Sequence, residues 1–277
     1  MSWTLTGDFA RYVTEAEPFL RADLAENTVA LTVIETLRAQ GPDVFGPDPL
    51  FGWFHAGGVR GACLWTGTYP LLLSAMPEPA AESLAEVLTG RELTGVSGDA
   101  PAVRAFAARW ERRTGTIAGV LMRQRLYRLE SLEAGPLPSG GPRVAGASDR
   151  DLVHEWFAAF EQESGAGGTE NPRLVDDRLS YGGVLLWEVA GEPVSLAART
   201  RVVAGMTRIG PVYTPPDRRR QGYGAAVTAA LTRSALDAGA GQVLLFTDLA
   251  NPTSNGIYQR IGYRAVSDRL MLGFAER

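Results

Sequence analysis

The chain has 277 residues, of which 45% are hydrophobic and 21% charged, a net charge of −4, and a single cysteine. Its length suits two domains, each with its own core. There is no apolar run of about 18 residues to span a bilayer, no cysteine pair for a disulfide and no basic surplus for nucleic acid or membrane.

In chain order, the first half predicts a helical opening through Gln40, then strands at Leu50–Phe54, Gly61–Thr66 and Tyr69–Ala75. A helix at Ala80–Leu88, a strand at Leu93–Val96, a helix at Ala102–Arg113 and a strand at Thr116–Leu129 follow. The Pro- and Gly-rich stretch 134–142 is predicted as a linker between a domain at 1–133 and one at 143–277.

Past the linker, Ser148-Asp-Arg-Asp151 predicts a capping box opening a helix through Glu163, and a flexible Gly165-Ala-Gly-Gly168 loop comes next. A short helix at Pro172–Leu179 precedes strands at Val184–Val189 and Pro193–Val203, paired about Gly191-Glu192, and a further strand at Met206–Thr214. The second domain is predicted to close with a helix over Ala225–Ala238, a strand at Gln242–Leu249, a helix over Thr253–Ile261 and a hairpin from Tyr263 to Phe274. The order is that of an α/β layer with a mixed sheet, and the first half repeats it weakly.

Between strand and helix lies Arg219-Arg220-Gln221-Gly222-Tyr223-Gly224. The first turn of a helix presents unpaired amides and the positive end of its dipole, which suits a pyrophosphate. Glycines keep the approach open and allow positive φ, and Arg218, Arg219 and Arg220 add charge. The chain lacks both G-x-x-x-x-G-K-[ST] and a G-x-G-x-x-G that opens a βαβ unit. All 27 of its basic residues are arginine, so a Walker lysine and a lysine nucleophile are both excluded.

About thirty residues later the chain reads Asn251-Pro-Thr-Ser-Asn-Gly-Ile-Tyr258-Gln-Arg-Ile-Gly262-Tyr263. The pair R-x-x-G-x-G, then N-x-x-S-x-x-I-Y-x-x-I-G-Y, resembles the GNAT superfamily of acyl-CoA-dependent N-acyltransferases over roughly residues 143–277. The resemblance implies tandem GNAT-like domains of the α/β (or α+β) class, each a mixed, mostly antiparallel sheet flanked by helices. It implies that Arg219, Arg220, Gln221, Gly222, Tyr223, Gly224 and Ala225 hold the pyrophosphate of coenzyme A. It also implies that the backbone of Val212, Tyr213 and Thr214 pairs with the pantetheine arm, and that Asn251 and Ser254 line the thiol end with Tyr258 near the sulfur. Pro215 and Pro216 depart from the pattern, since proline offers no amide.

The expected activity is transfer of the acetyl group of acetyl-CoA directly to an amine, a small molecule or a peptide, with Tyr258 as the acid for the leaving thiolate. Glu161 and Glu163 are the candidate bases, although each reads first as an ordinary solvated helix carboxylate, and Glu188 is a weaker alternative. Backbone amides at Val212 to Thr214 are candidate donors to the thioester carbonyl. With no cysteine in the motifs, no covalent acyl-enzyme is expected. A non-catalytic acyl-CoA sensor is the alternative, and longer acyl groups stay open. His55 and His154 read as structural, Cys63 as a core residue, and no metal is expected.

In the first half Met76-Pro-Glu-Pro-Ala80 stands where a cradle belongs. Its two prolines lack amides and Glu78 repels phosphate, so this half is expected to be degenerate and to cover the acceptor pocket, restrict its size or mediate dimerisation. The N-terminal residues show no signal-peptide pattern, which predicts a cytoplasmic protein without nucleic-acid or membrane partners.

Overall fold

The computed structural model describes residues 1–133, 135–165 and 171–276. Residues 166–168 of the Gly-rich loop and Ala134, the first residue of the linker stretch, lie outside the described residues. The chain divides into two units: Met1–Arg125 with Ser267–Arg277, and Leu126–Val266. The C-terminal segment therefore belongs to the first unit, which a linear cut at the linker does not anticipate.

The first unit holds β1 (Ser2–Thr6), α1 (Phe9–Arg21), α2 (Thr28–Gln40), β2 (Leu50–His55), β3 (Val59–Trp65), β4 (Leu71–Leu73), α3 (Glu78–Val87), β5 (Gly95–Asp99) and α4 (Ala100–Thr114), and then the chain enters β6 (Ile117–Leu129). The opening is two helices preceded by an edge strand; β1 pairs antiparallel with β2, Trp3 opposite Phe54. The parallel pair β4 and β5 runs from Leu71/Val96 to Leu73/Gly98. The strands are so close at the end that a Cβ on Gly98, whose φ is +138°, would overlap the Leu73 carbonyl. Residues 269–273 then pair antiparallel with β5, Leu272 opposite Val96. Leu270 and Leu272 pack with Phe106, Trp110, Leu84 and Val103 in the core.

The second unit holds β7 (Gly141–Val144), α5 (Arg150–Ser164), α6 (Pro172–Ser180), β8 (Val184–Val189), β9 (Glu192–Arg199), β10 (Met206–Tyr213), α7 (Tyr223–Asp237), β11 (Gln242–Asp248), α8 (Pro252–Ile261) and the start of β12 (Tyr263–Ala275). Its strand order is β11-β10-β9-β8-β7, with β6, whose residues Leu126–Leu129 belong to this unit, beside β11. One sheet face packs on α7 through Val227, Leu231, Ala235, Val243, Leu245 and Ile209. The other packs on α5 and α6 through Val153, Phe157, Val175, Leu186, Leu196 and Tyr213. Buried Thr228 and Thr232 satisfy their hydroxyls by donating to Gly224 O at 2.7 Å and Thr228 O at 2.8 Å, which lets polar side chains sit on the inner face of α7.

Three local expectations are corrected. The hairpin expected from Tyr263 to Phe274 is one continuous strand, because the polar residues within it find partners there: Asp268 accepts from Arg125 Nε at 2.7 Å and Nη2 at 3.0 Å. The capping box at Ser148-Asp151 is replaced by a 3₁₀ turn, Ala147–Asp149. There the buried Asp149 carboxylate accepts from Gly146 N at 2.7 Å and from Arg143 at 2.7 and 2.9 Å. The Arg143 guanidinium beside Asp149 holds its carboxyl below the usual range. Finally, the end of the linker is built into the unit. Gly141 and Pro142 pair with Glu188 and Trp187 in β7–β8, and the Trp187 indole donates to Ser139 O at 2.9 Å.

Candidate active site

The parallel pair β10–β11 keeps register from Met206/Gln242 to Ile209/Leu245. Beyond that β10 runs on to Tyr213 and β11 to Asp248, each without the other. On its other edge β10 stays paired with β9, Val212 opposite Ala197 and Tyr213 opposite Leu196, after a register shift between Ile209 and Val212. Half of β10 thus has one strand edge paired and the other turned to a gap. Such an edge offers backbone groups to an extended ligand.

The cradle closes this gap at one end. After Pro216–Arg218, a short 3₁₀ turn, Arg220 takes φ +65° and Gly222 φ +86°. These bends bring the amides of Tyr223, Gly224 and Ala225 ahead of the first helical bond of α7, Ala226 N to Gly222 O at 3.0 Å. A Cβ on Gly222 would meet nothing nearer than Pro138 at 3.9 Å, and one on Gly224 nothing nearer than Thr214 Oγ1 at 3.4 Å. Among the described residues nothing stands closer than this over the two glycines, which is the condition a pyrophosphate needs.

The three arginines do different things. Arg218 pairs with Glu192 at 3.6 Å and Asp217 at 3.3 Å. Arg219 donates through Nε to Thr214 O at 2.8 Å and through Nη2 to both oxygens of Glu163, at 2.9 and 2.6 Å. Among the described residues Arg220 makes no ion pair, so its charge is the one left for a ligand.

Glu163, a sequence candidate for the base, is thus tied to the cradle, and the Tyr213 hydroxyl donates to it at 3.4 Å. Glu161 is half-buried one turn from the end of α5. Two residues apart on a helix, the side chains point about 200° apart, so the two carboxylates do not serve one pocket together. Glu188 accepts from Arg143 Nε at 2.8 Å, and His154 lies 3.0 Å from Asp176, which fits the structural readings of both.

Tyr258, on α8, stacks edge to face on Tyr263 at 6.3 Å. Its ring packs beside the α7-side core, and among the described residues its hydroxyl has no hydrogen-bond partner. Tyr263, by contrast, shares a 2.7 Å bond with Thr232. Burial pushes the Tyr258 phenol up to about 12, so it holds its proton throughout the neutral range. Asn251 caps α8, its side chain accepting from Ser254 N at 3.0 Å, with Pro252 at the first helical position.

Sequence reasoning missed the group that sets the start of α8. The hydroxyl of the buried Tyr127 donates to Asn255 Oδ1 at 2.9 Å and accepts from Gln259 Nε2 at 3.2 Å. Asn255 Nδ2 in turn donates to Asp248 O at 2.9 Å and Asn251 O at 2.7 Å. Ser195 was missed too. It is buried behind the end of β10, bonding Tyr213 O at 2.9 Å and the Thr214 hydroxyl at 2.8 Å. No signal near either residue in the sequence marks these bonds.

A parallel pair that parts beside a glycine-opened helix end decides the fold. This is a tandem GNAT fold. A family model described as FR47-like protein matches residues 189–272. An acetyltransferase of the GNAT family from Colwellia psychrerythraea is similar over 100% of both chains, with 13% identity and a TM-score of 0.61. A GCN5-related N-acetyltransferase from Sphaerobacter thermophilus is similar over 98% of this chain and 94% of its own, with 15% identity and a TM-score of 0.63. A tandem GNAT protein from the clavulanic acid biosynthesis pathway is similar over 99% and 98%, with 13% identity and a TM-score of 0.56. None of the curated proteins matches the sequence. In the first GNAT-like unit, Pro77 stands at the N-cap of α3 with Pro79 behind it, and the β4–β5 pair is closed at Gly98. Among the described residues no helix is long and apolar enough to cross a membrane, and no group of three His, Cys, Asp or Glu is placed to hold a metal.

Proposed function

We propose that the second unit transfers the acetyl group of acetyl-CoA directly to the nitrogen of an amine. The observation that carries this is the parting of β10 and β11 after Ile209/Leu245, directly followed by the open cradle at Gly222. Tyr223, Gly224 and Ala225 hold the pyrophosphate through their amides, and Arg220 adds a guanidinium. The free edge of Val212 to Thr214 binds the pantetheine arm, and Asn251 and Ser254 flank the thiol end.

Acetyl-CoA supplies the acyl carbon and a thiolate leaving group. Tyr258 holds a proton at its hydroxyl for that sulfur, the new C–N bond forming as the C–S bond breaks and the amine proton leaving to a base or water. Burial raises the phenol, and it raises a thiol in the same surroundings for the same reason, so the match needed for proton sharing is kept. The pairing of Glu163 with Arg219 favours a positioning role for Glu163, with Glu161 or water as the candidate base.

The test is titration calorimetry with acetyl-CoA, followed by thiol release in a panel of amines and mass spectrometry of enzyme mixed with acetyl-CoA alone. One acetyl-CoA per chain, amine-dependent thiol release and unmodified enzyme are expected. Absence of acetyl-CoA binding refutes the proposal, binding without turnover on any amine supports the sensor alternative, and an acylated enzyme refutes direct transfer.

A further inference from the structure

Tyr258 stands on a helix that apolar packing alone holds weakly. Among the described residues of α8 Ile261 alone is buried, while Ile257 and Tyr258 pack half-buried against the α7-side core. A helix that buries so little apolar surface turns about its axis at small cost, so its hydrogen bonds decide where its residues point. At its C-terminal end these are backbone bonds: Glu130 N donates to Gly262 O at 3.1 Å and Glu133 N to Ile261 O at 2.9 Å. Further along the helix the tether is a side chain, the Tyr127 hydroxyl, which holds Asn255 and Gln259 together. All these groups belong to the second unit.

Asn255 and Gln259 are one turn apart, about 40° from each other around the helix, and Tyr258 projects about 80° from the direction midway between them. One hydroxyl that grips both residues therefore fixes the direction of the third. The Tyr127 ring is itself buried in the core that holds Tyr223, Val227 and Ile209, so the post is rigid. Asn255 carries the constraint onward, because its Nδ2 donates to the carbonyl of Asp248, the last residue of β11. The gripped face of α8 is thereby pinned between Tyr127 and the rim of the β10–β11 gap.

We infer that Tyr127 is a positioning residue for acyl transfer: through Asn255 and Gln259 it fixes the rotation of α8 that aims the Tyr258 hydroxyl at the thioester sulfur. This rests on the proposed acyl transfer, in which Tyr258 is the acid; Tyr127 acts through the helix and moves no proton. At about 6 Å from the helix axis a turn of about 10° displaces a group by about 1 Å. A displacement of about 1 Å costs up to about 100-fold in rate.

The experiment is thiol release from acetyl-CoA, with the amine of the panel that reacts fastest, by the full chain, Tyr127→Phe, Tyr258→Phe and the double variant, with acetyl-CoA affinity measured by calorimetry. Tyr127→Phe keeps the ring and is expected to lower kcat by about 10- to 100-fold while leaving acetyl-CoA affinity within about threefold. The double variant decides the role. Once the phenol is gone its aim no longer matters, so the double variant should turn over at the rate of Tyr258→Phe alone, whereas a merely structural role for Tyr127 makes the two losses multiply. Gln259→Met, at an exposed position, leaves the bond from Tyr127 to Asn255 in place. It is expected to give a smaller loss with the same non-additivity, and it decides the matter if Tyr127→Phe loses acetyl-CoA affinity through misfolding. A kcat for Tyr127→Phe within about twofold of the unaltered chain, or losses that multiply, overturns the inference and leaves acyl transfer standing. Unchanged turnover in Tyr258→Phe, or no thiol release with any amine, refutes instead the reading of Tyr258 as the acid, and the inference with it.

Discussion

Replacing Gly222 by aspartate isolates what the cradle does. Gly222 has φ +86°, so any side chain there carries the left-handed penalty of about 1 kcal/mol, and the space around it is open to 3.9 Å. Asparagine has the same shape and tolerates this conformation, so Gly222→Asp and Gly222→Asn share the backbone cost and differ in one charge. At a separation of about 5 Å from a ligand charge, that difference is about 1 kcal/mol per unit charge at the dielectric of water and about 3 kcal/mol at an effective value near 20. Titration calorimetry is therefore expected to show acetyl-CoA bound roughly 5- to 150-fold more weakly by the aspartate than by the asparagine variant. The gap should shrink as salt is raised, because the Debye length falls from about 8 Å at 0.15 M to about 3 Å at 1 M. Stoichiometry should be one per chain, since α3 begins with prolines and Glu78. Equal affinities for the two variants, or a difference that ignores salt, would refute the placement of the pyrophosphate.

Tyr258→Phe is expected to lower kcat by about 10²- to 10⁴-fold with little change in acetyl-CoA affinity; a steady-state and calorimetric comparison checks this, and an unchanged kcat removes the phenol from the chemistry. Because its phenol is raised to about 12, Tyr258 should contribute no loss of rate between pH 6 and roughly pH 10. A falling limb in that interval that disappears in Tyr258→Phe would contradict it. Glu163→Gln should leave kcat within about fivefold, the scale of an exposed ion pair; a loss of a hundredfold or more would make Glu163 the base. Gly262→Ala should destabilise the fold by about 3 kcal/mol or more in denaturant unfolding, since φ is +107° and a Cβ would overlap the Ser131 carbonyl; stability near that of the unaltered chain would refute the close approach. Arg150 first, and His154 second, lower the Asp176 carboxyl to about 2. The stability this contributes is present above the ordinary value of 3.8 and is lost as pH falls towards 2. Asp176→Asn should accordingly flatten that part of the acid unfolding curve, by a small amount because the pair is half-exposed; an unchanged curve would show the pair to be without effect.

What the amino-acid sequence determined by itself is what is decided within a few residues along the chain. The cradle was legible because a glycine at positive φ, an adjoining strand and an alanine-rich helix are neighbours in sequence. The start of α8 was legible because Asn251 and Pro252 form a helix cap, and the missing amides at the start of α3 because proline lacks one wherever it folds. The tertiary structure alone decided which distant groups meet. Glu163 and Arg219 are 56 residues apart, Tyr127 and Asn255 128 apart, and no periodicity marks either pairing. Polar residues of β12 that resemble a turn stay in a strand because Arg125 waits for Asp268. Local preferences are weak and act along the chain, whereas burial and charge compensation act through space, and only the folded sheet brings those partners within reach.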